Sequence, residues 1–283
     1  MMKVLVTGGL GQLGQDVLEA LERRNIPCLG VDRDDFDLTH GEDVSRFVAD
    51  YAPTAIVHCA AYTAVDRAEK EPEVCCAING MGTMNIVRAA NACGAKMVYI
   101  STDYVFNGTG TRPWEPEDET EPLNVYGLSK AQGETAVRSL LKRFFILRTS
   151  WVFGAHGNNF VRTMLRLGAE KSELRVVGDQ IGSPTYTRDL AALIVEMIQT
   201  GKYGIYHARN EGFISWAEFA EMIMRKAKLP CRIIPIPSAE YPTAARRPLN
   251  SRMNGSKIQA NGFTPLPSVE DALDRFLREI DTL

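Results

Sequence analysis

The sequence predicts an α/β protein built on a doubly wound parallel sheet, with a smaller and partly discontinuous α+β lobe. Short apolar runs alternate with longer segments of helical periodicity in the first half of the chain. The runs are apolar throughout, which is typical of strands covered on both faces. Beyond Thr149 the rhythm loosens, and Gly, Pro and Asn clusters separate shorter elements.

Five strands are predicted in the alternating half, at 3–7, 28–32, 55–59, 96–101 and 144–149. Helices are predicted between them, at 12–24, 42–51, 72–93 and 125–142. Strands joined through helices pair in parallel with right-handed crossovers, which gives a Rossmann-like sheet. A helix at 187–199 and a strand at 204–208 are expected to return to this sheet.

Two domains follow from this pattern. The sheet domain comprises 1–151 and 186–212, and the second lobe comprises 152–185 and 213–283. A ligand is expected between them, where the strands end.

The composition excludes several classes of function. The net charge is −3 with acids and bases interspersed, so no basic stripe is present to bind nucleic acid. The apolar runs are too short to cross a membrane, and a strand begins at Lys3, which leaves no room for a signal peptide. We therefore expect a cytoplasmic protein with no membrane partner.

Metal ligands are not recognisable in the sequence. The six cysteines form no CxxC pair, and we expect reduced, mostly buried thiols. No His or acidic group has ligand spacing, so no metal residue is predicted. A Mg²⁺ ion bound by carboxylates at a subunit contact would leave no readable pattern and stays open.

A glycine-rich turn follows the first strand, with the sequence TGGLGQLG over residues 7–14. Gly8, Gly11 and Gly14 allow a tight turn, close approach to a pyrophosphate and close packing of the next helix. That helix would present free N–H groups to the phosphates. A dinucleotide site is predicted, with an ordinary glycine turn as the alternative.

The second strand ends on two residues that leave the coenzyme open. Asp32 can bind the adenosine ribose hydroxyls, which favours NAD(H), unless it is only a turn acid. Arg33 can bind the additional phosphate of NADP(H).

Tyr126 and Lys130 begin the helix predicted at 125–142, with Asn124 as its N-cap. A spacing of four places both side chains on one helix face. The ammonium is expected to lower the pKa of the phenol, so that tyrosine exchanges a proton with a carbonyl oxygen near neutral pH. Thr102, at the end of the fourth strand, can bind the same oxygen. The alternative is an exposed helix face without chemistry.

Together these motifs resemble the extended short-chain dehydrogenase/reductase superfamily, whose members carry a TGxxGxxG turn, a strand-end Ser/Thr and a YxxxK helix. Within it the chain is similar to the reductases that complete dTDP-L-rhamnose synthesis. The segments that carry this similarity lie in both predicted lobes, at 11–14, 37–39, 59–66, 101–106, 148–151, 179–185 and 247–251. The resemblance implies reduction of the 4-keto group of dTDP-4-dehydro-6-deoxy-L-mannose by NAD(P)H.

The resemblance also implies residue roles. Tyr126 would be the proton donor, Lys130 would bind the nicotinamide ribose, and Thr102 would complete the catalytic set. The coenzyme would be bound by Gly8, Gly11, Gln12, Leu13, Gly14, Asp32, Arg33, Asp37, Leu38, Ala60, Ala61, Tyr62 and Thr63. The sugar nucleotide would be bound by Val65, Thr102, Asp103, Tyr104, Trp151 and Arg247. Asn79 matches a structural asparagine of the superfamily, with a helix-start cap as the alternative.

Three other functions remain open. A 4,6-dehydratase of this superfamily would place a glutamate where this chain has Tyr104, and an epimerising reductase a cysteine where it has Asp103. A non-catalytic, nucleotide-binding regulatory subunit is the third alternative. The sequence leaves open the coenzyme preference, the oligomeric state, for which a homodimer is one option, and the polysaccharide that receives the product.

Overall fold

The computed structural model describes residues 2–281. The strands in this part of the chain are β1 (Val4–Thr7), β2 (Cys28–Val31), β3 (Ala55–His58), β4 (Lys96–Thr102), β5 (Phe144–Thr149), β6 (Val152–Phe153), β7 (Glu173–Val177), β8 (Ile181–Gly182), β9 (Thr185–Tyr186), β10 (Gly204–His207), β11 (Ile214–Ser215) and β12 (Arg232–Ile236). The α-helices are α1 (Gln12–Glu22), α2 (Gly41–Tyr51), α3 (Val65–Ala68), α4 (Pro72–Cys76), α5 (Thr83–Cys93), α6 (Val125–Leu140), α7 (Phe160–Glu170), α8 (Thr187–Met197), α9 (Trp216–Lys226), α10 (Ser256–Ala260) and α11 (Val269–Ile280).

Six parallel strands form the central sheet in the order β10-β5-β4-β3-β1-β2. The predicted doubly wound α/β fold is confirmed, including the return of β10 to this sheet. From β1 the chain moves outward to β2 and then back to β3, on the other side of β1. The crevice at this switch point is where open parallel sheets bind ligands.

Both faces of the sheet are covered. Successive strand residues point to opposite faces, so Val4 and Val6 join one apolar core while Leu5 joins the other. The first core includes residues of α1 and α8, and the second includes residues of α2, α5 and α6. This two-sided burial explains why the strands are apolar throughout.

A third apolar core belongs to the smaller lobe. It joins residues of α7, α9 and α11 to those of β7 and β12, which pair in parallel. Two further short pairs, β6 with β9 and β8 with β11, lie beside it. Ile258, Phe263 and Leu266 pack instead into the first core, beneath the central sheet. The division of the chain into domains therefore stays a prediction.

The helix predicted at 72–93 is interrupted in the structure. A π-helical turn, Ala77–Gly82, separates α4 from α5. Within it, the buried Asn79 accepts a 2.7 Å hydrogen bond from the Tyr62 amide and donates to the Ser129 hydroxyl at 2.9 Å. Asn79 thus joins the loop after β3 to α6, which is a structural role and not that of a helix-start cap.

Two expectations from the composition concern membrane spans and cysteines. None of the helices in residues 2–281 combines the length and apolarity that a bilayer span requires. All six cysteines are free, but only Cys75 and Cys231 are buried and Cys93 is exposed. The expectation of mostly buried thiols is therefore wrong, because Cys28, Cys59 and Cys76 are only partly buried and Cys93 lies at the exposed end of α5.

Candidate active site

A cavity of about 1160 Å³ lies at the carboxyl ends of the central strands. It extends from the glycine-rich turn after β1, past Tyr126 and Lys130 on α6, to Trp151 and Trp216. Its walls thus come from both the sheet and the smaller lobe. The position is the one expected from the strand order.

The glycine-rich turn forms a cradle that side chains would fill. Gly8 has φ 70°, in the left-handed region, and a Cβ there would lie 2.7 Å from the Ala60 nitrogen. At Gly14 a Cβ would overlap the Gly8 carbonyl oxygen. The N-cap residue of α1, Gly11, offers no side-chain acceptor, so the first N–H groups of this helix can bind a pyrophosphate. The chain therefore fits a dinucleotide at this end of the cavity.

The two residues predicted to select the coenzyme, Asp32 and Arg33, follow β2 beside the glycine-rich turn. The Asp32 carboxylate accepts hydrogen bonds from the Leu10 amide at 3.1 Å and the Arg33 amide at 2.9 Å. Asp32 is thereby fixed between the glycine-rich turn and the end of β2. The exposed Arg33 lines the same part of the cavity. The geometry is therefore compatible with either NAD(H) or NADP(H).

The start of α6 fixes the tyrosine and the lysine. Asn124 is the N-cap, as predicted, and its side chain accepts a 2.8 Å hydrogen bond from the Gly127 amide. Gly127 packs so tightly that a Cβ would overlap the Tyr104 carbonyl oxygen. This contact holds α6 against the segment after β4. The Tyr126 phenol and the Thr102 side chain line the same cavity, and Thr102 acts to lower the pKa of Tyr126.

Burial controls the charges at this end of the cavity. It raises the pKa of Tyr126, and the nearby Asp103 carboxyl raises it further, while the Thr102 side chain opposes both. Burial lowers the pKa of Lys130 to about 7, against the attraction of Glu134. The pKa of Tyr126 is therefore raised in this structure and not lowered as expected, because burial has the largest effect on it. Tyr126 keeps its proton at neutral pH.

The segment after β4 adds three polar groups. The Thr102 hydroxyl donates to Asp103 at 3.0 Å and accepts from the Tyr104 amide at 3.2 Å. Burial raises the pKa of Asp103 to about 6 and that of Tyr104 to about 12. The Tyr104 ring lies edge-on to Tyr126, 5.6 Å between centroids. Tyr104 is thus a neutral phenol at physiological pH.

An aromatic pair forms the wall of the smaller lobe. Trp151 has φ 51°, a left-handed conformation that a bulky residue rarely adopts. Its ring stacks on Trp216, with 3.6 Å between centroids and 13° between planes. Gly182 makes room for the Trp151 ring, because a Cβ there would lie 2.9 Å from it. The wall is flat and apolar.

The structure brings most of the predicted site residues together. Apart from Tyr62 and Arg247, every predicted coenzyme, catalytic and substrate residue lines this cavity. The Tyr62 hydroxyl instead donates to Glu71 at 3.1 Å. Arg247 donates to the Tyr104 hydroxyl at 2.8 Å and pairs with Asp66 at 2.5 Å. Arg247 therefore reaches the cavity only through Tyr104.

Sequence reasoning missed some residues of the site. Trp216 lies at the start of α9, where a capping box of Ser215 and Glu218 marks a helix but signals no ligand. Ser101 lines the cavity, and behind it Arg148 and Glu134 form a buried ion pair at 2.8 Å. The sequence signal that could have identified this ion pair is the position of Glu134 four residues after Lys130, on the same helix face.

A second polar cluster lies outside the cavity. Ligand atoms of Asp16, Glu19 and His156 lie within 4.8 Å of one another. The Arg188 guanidinium contacts Asp16 at 3.8 Å and Glu279 at 2.5 Å, so positive charge already balances these acids. We assign no metal to the cluster.

Comparisons with known proteins place this geometry among characterised ones. The family model described as RmlD substrate binding domain matches residues 2–282. The chain is 40% identical to dTDP-4-dehydrorhamnose reductase of Escherichia coli, over 99% of each chain. It is also 40% identical to the spore coat polysaccharide biosynthesis protein SpsK of Bacillus subtilis, over 99% of this chain and 98% of that protein. A crystal structure of dTDP-4-dehydrorhamnose reductase from Bacillus anthracis in complex with NADP superposes with a TM-score of 0.96 at 43% identity, covering 99% of this chain and 100% of that one.

Proposed function

The chain belongs to the RmlD substrate binding domain family, and on that premise we propose that it reduces dTDP-4-dehydro-6-deoxy-L-mannose to dTDP-L-rhamnose. The resemblance predicted from the sequence is confirmed by the full-length similarity to curated reductases. The enzyme is an oxidoreductase of dTDP-rhamnose biosynthesis, and hence of polysaccharide biosynthesis. The roles of individual residues are our proposal.

The coenzyme is NADPH or NADH, which supplies the hydride that reduces the sugar carbonyl. The glycine-rich turn and the first amides of α1 would bind its pyrophosphate. Asp32 would bind the adenosine ribose, and Arg33 the 2′-phosphate when NADPH is used. Lys130 would bind the nicotinamide ribose from the buried face of α6.

The observation that carries the proposal is that Tyr126 and Thr102 line one cavity beside the buried Lys130. In reduction a carbonyl oxygen gains a proton while its carbon gains hydride. Tyr126, protonated at neutral pH, would give that proton, and the Thr102 hydroxyl would bind the same oxygen. Trp151 would contact the apolar face of the deoxysugar.

Two of the three alternatives need a group that this site lacks. A dehydratase needs a carboxylate at position 104 to remove a proton, but Tyr104 is a neutral phenol held by Arg247. An epimerising reductase needs an acid–base cysteine where Asp103 lies. A regulatory subunit needs no reactive tyrosine, whereas Tyr126 lies in the cavity with its partners. Reduction without elimination is supported best.

The cellular setting is part of the same proposal. We infer a cytoplasmic location and a homodimer from the kind of enzyme.

The test is oxidation of NADPH and of NADH with the dTDP-linked ketone as substrate. Both coenzymes are expected to support turnover and to yield dTDP-L-rhamnose, identified by chromatography and NMR. Absence of sugar-dependent oxidation with a coenzyme-binding protein would favour the regulatory subunit.

Running the same reaction in heavy water separates the enzymatic alternatives. Reduction needs no exchange of the protons next to the carbonyl, so carbons 3 and 5 should acquire no deuterium. The ketone incubated without enzyme controls for spontaneous exchange. Enzyme-dependent deuterium at either carbon would identify a dehydratase or epimerase and refute simple reduction.

A further inference from the structure

Glu134 is a buried acid one helical turn beyond Lys130. It is 2% exposed, as is Lys130, and both lie on the face of α6 that packs on the sheet. Residues four apart on a helix are neighbours. Tyr126, Lys130 and Glu134 therefore form one line along the buried face of α6.

A rigid clamp holds the Glu134 carboxylate in place. Arg148 donates to both of its oxygens, at 2.9 and 2.8 Å, and the Ser101 hydroxyl donates at 2.6 Å. Ser101 and Arg148 are register partners on the neighbouring strands β4 and β5. Since the clamp is built on the central sheet, the carboxylate cannot turn away from Lys130 without breaking strand-anchored bonds.

Arg148 is itself fully occupied. Its third nitrogen donates to the Pro116 carbonyl oxygen at 3.0 Å, and its guanidinium lies over the Phe106 ring at 4.9 Å. The bidentate bond to this guanidinium therefore fixes the orientation of the Glu134 carboxylate.

The other titratable groups around Lys130 are uncharged at neutral pH. They are His58 at the end of β3, Cys59 directly after it, Cys75 on α4 and Tyr99 on β4. Burial lowers the pKa of His58 to about 3 and raises that of Cys59 to about 12. Burial also raises the pKa of Cys75 and of Tyr99, whose ring lies 4.1 Å from the ammonium. Glu134 is thus the anion available to Lys130 in its surroundings.

We propose that Glu134, clamped by Arg148 and Ser101, is a positioning residue that keeps Lys130 charged in the buried site. The inference rests on the proposed function, in which that charge binds the nicotinamide ribose and orients Tyr126. It adds a part of the machinery that touches neither coenzyme nor sugar.

The sign of the pH effect follows from the charges. Burial lowers the pKa of Lys130 to about 7, and Glu134 raises it against burial. The cation is present below that pKa and is lost as the pH rises through it. Coenzyme affinity should therefore fall as the pH rises, and removing the Glu134 charge should move this fall to lower pH by about one unit.

The experiment measures the dissociation constants of NADPH and NADH by fluorescence across the neutral pH range, for the wild type and Glu134→Gln. The variant should bind several-fold more weakly near pH 7, and the two should converge at acidic pH, where Lys130 is charged in both. Glu134→Asp keeps the charge and should restore the midpoint. Glu221→Gln, an exposed change of the same charge, is the control and should leave the midpoint unchanged.

A second variant covers the case in which Glu134→Gln fails to fold because Arg148 loses its partner. Replacing both residues by Met removes the buried pair without leaving a lone charge. The midpoint should again move to lower pH, but by less than in Glu134→Gln, because the repulsion between Arg148 and Lys130 is removed as well. An unchanged midpoint, or equal weakening at every pH, would overturn the inference. A wild type that binds coenzyme but does not reduce the sugar would refute the proposed function instead.

Discussion

Gly182→Ala should disturb the aromatic wall while leaving the rest of the site intact. The new Cβ would lie 2.9 Å from two atoms of the Trp151 ring and 3.0 Å from the Ser251 Cβ. Ordinary carbon contacts are about 3.5–4.0 Å, so the Trp151 ring must move. It is already stacked on Trp216, which packs in turn against Phe160 at 4.5 Å between centroids.

The expected magnitudes follow from that crowding. Adding a methyl group to a packed site costs about 1–3 kcal/mol, and each kcal/mol lowers the Tm of a chain this size by roughly 2–4 °C. Because Trp151 forms the proposed sugar wall, kcat/KM for the sugar should fall by up to about 10²-fold. Coenzyme affinity should stay unchanged, since the glycine-rich turn lies at the other end of the cavity.

The assay combines thermal unfolding, steady-state kinetics with the sugar, and NADPH binding. Gly201→Ala is the matched control, because the nearest atom to its Cβ would be 3.9 Å away. Trp216→Leu gives the Trp151 ring space to retreat, so the double variant should lose less stability than the two single losses combined. Wild-type Tm and kcat/KM in Gly182→Ala would refute the packing argument, and a parallel loss of NADPH affinity would show that the damage is not local.

Further predictions concern the catalytic pair and the coenzyme. Tyr126→Phe keeps the ring and removes the proton that the phenol would donate. Turnover should therefore fall about 10²–10⁴-fold, while coenzyme binding measured by fluorescence titration is retained. Near-normal turnover would show that Tyr126 is not the proton donor. Lys130→Met should damage both turnover and coenzyme affinity, because one ammonium serves the tyrosine and the ribose. Arg33→Ala should weaken the binding of NADPH more than that of NADH, since only NADPH carries the 2′-phosphate that a guanidinium binds. Equal weakening of both coenzymes in the same titration would show that Arg33 does not contact this phosphate.

The fold was predictable because its main signals are local. The apolar runs and helical periods locate the sheet elements to within two or three residues, and β10 returns to the sheet as expected. The glycine-rich turn and the Tyr126–Lys130 step identify the two ends of the cavity for the same reason. Short-range patterns of this kind can be recognised in a single sequence.

What could not be predicted depends on contacts between distant segments. Nothing near Trp216 indicates that it stacks on Trp151, 65 positions earlier in the chain. The direction of the pKa shift of Tyr126 also depends on how deeply its side chain is buried, which is known only from the folded structure. Arg247 was expected at the substrate, but the structure pairs it with Tyr104 and Asp66.

The π-helical turn at Ala77–Gly82 makes the length of this segment part of the architecture. An α-helix advances about 100° per residue, so the wider turn sets how the faces of α4 and α5 are rotated against each other. Cys75 on α4 and Ile86 on α5 are both fully buried, on either side of this turn. A π-helical turn takes up one residue more than an α-helical turn, so deleting one residue here would leave a regular helix with the buried sides of α4 and α5 close to their present orientation. A one-residue deletion within the regular part of α5 would instead rotate the residues beyond it by about 100°. The same genetic lesion therefore has different consequences at the two places: in the first it removes a bulge, and in the second it changes the phase of the helix.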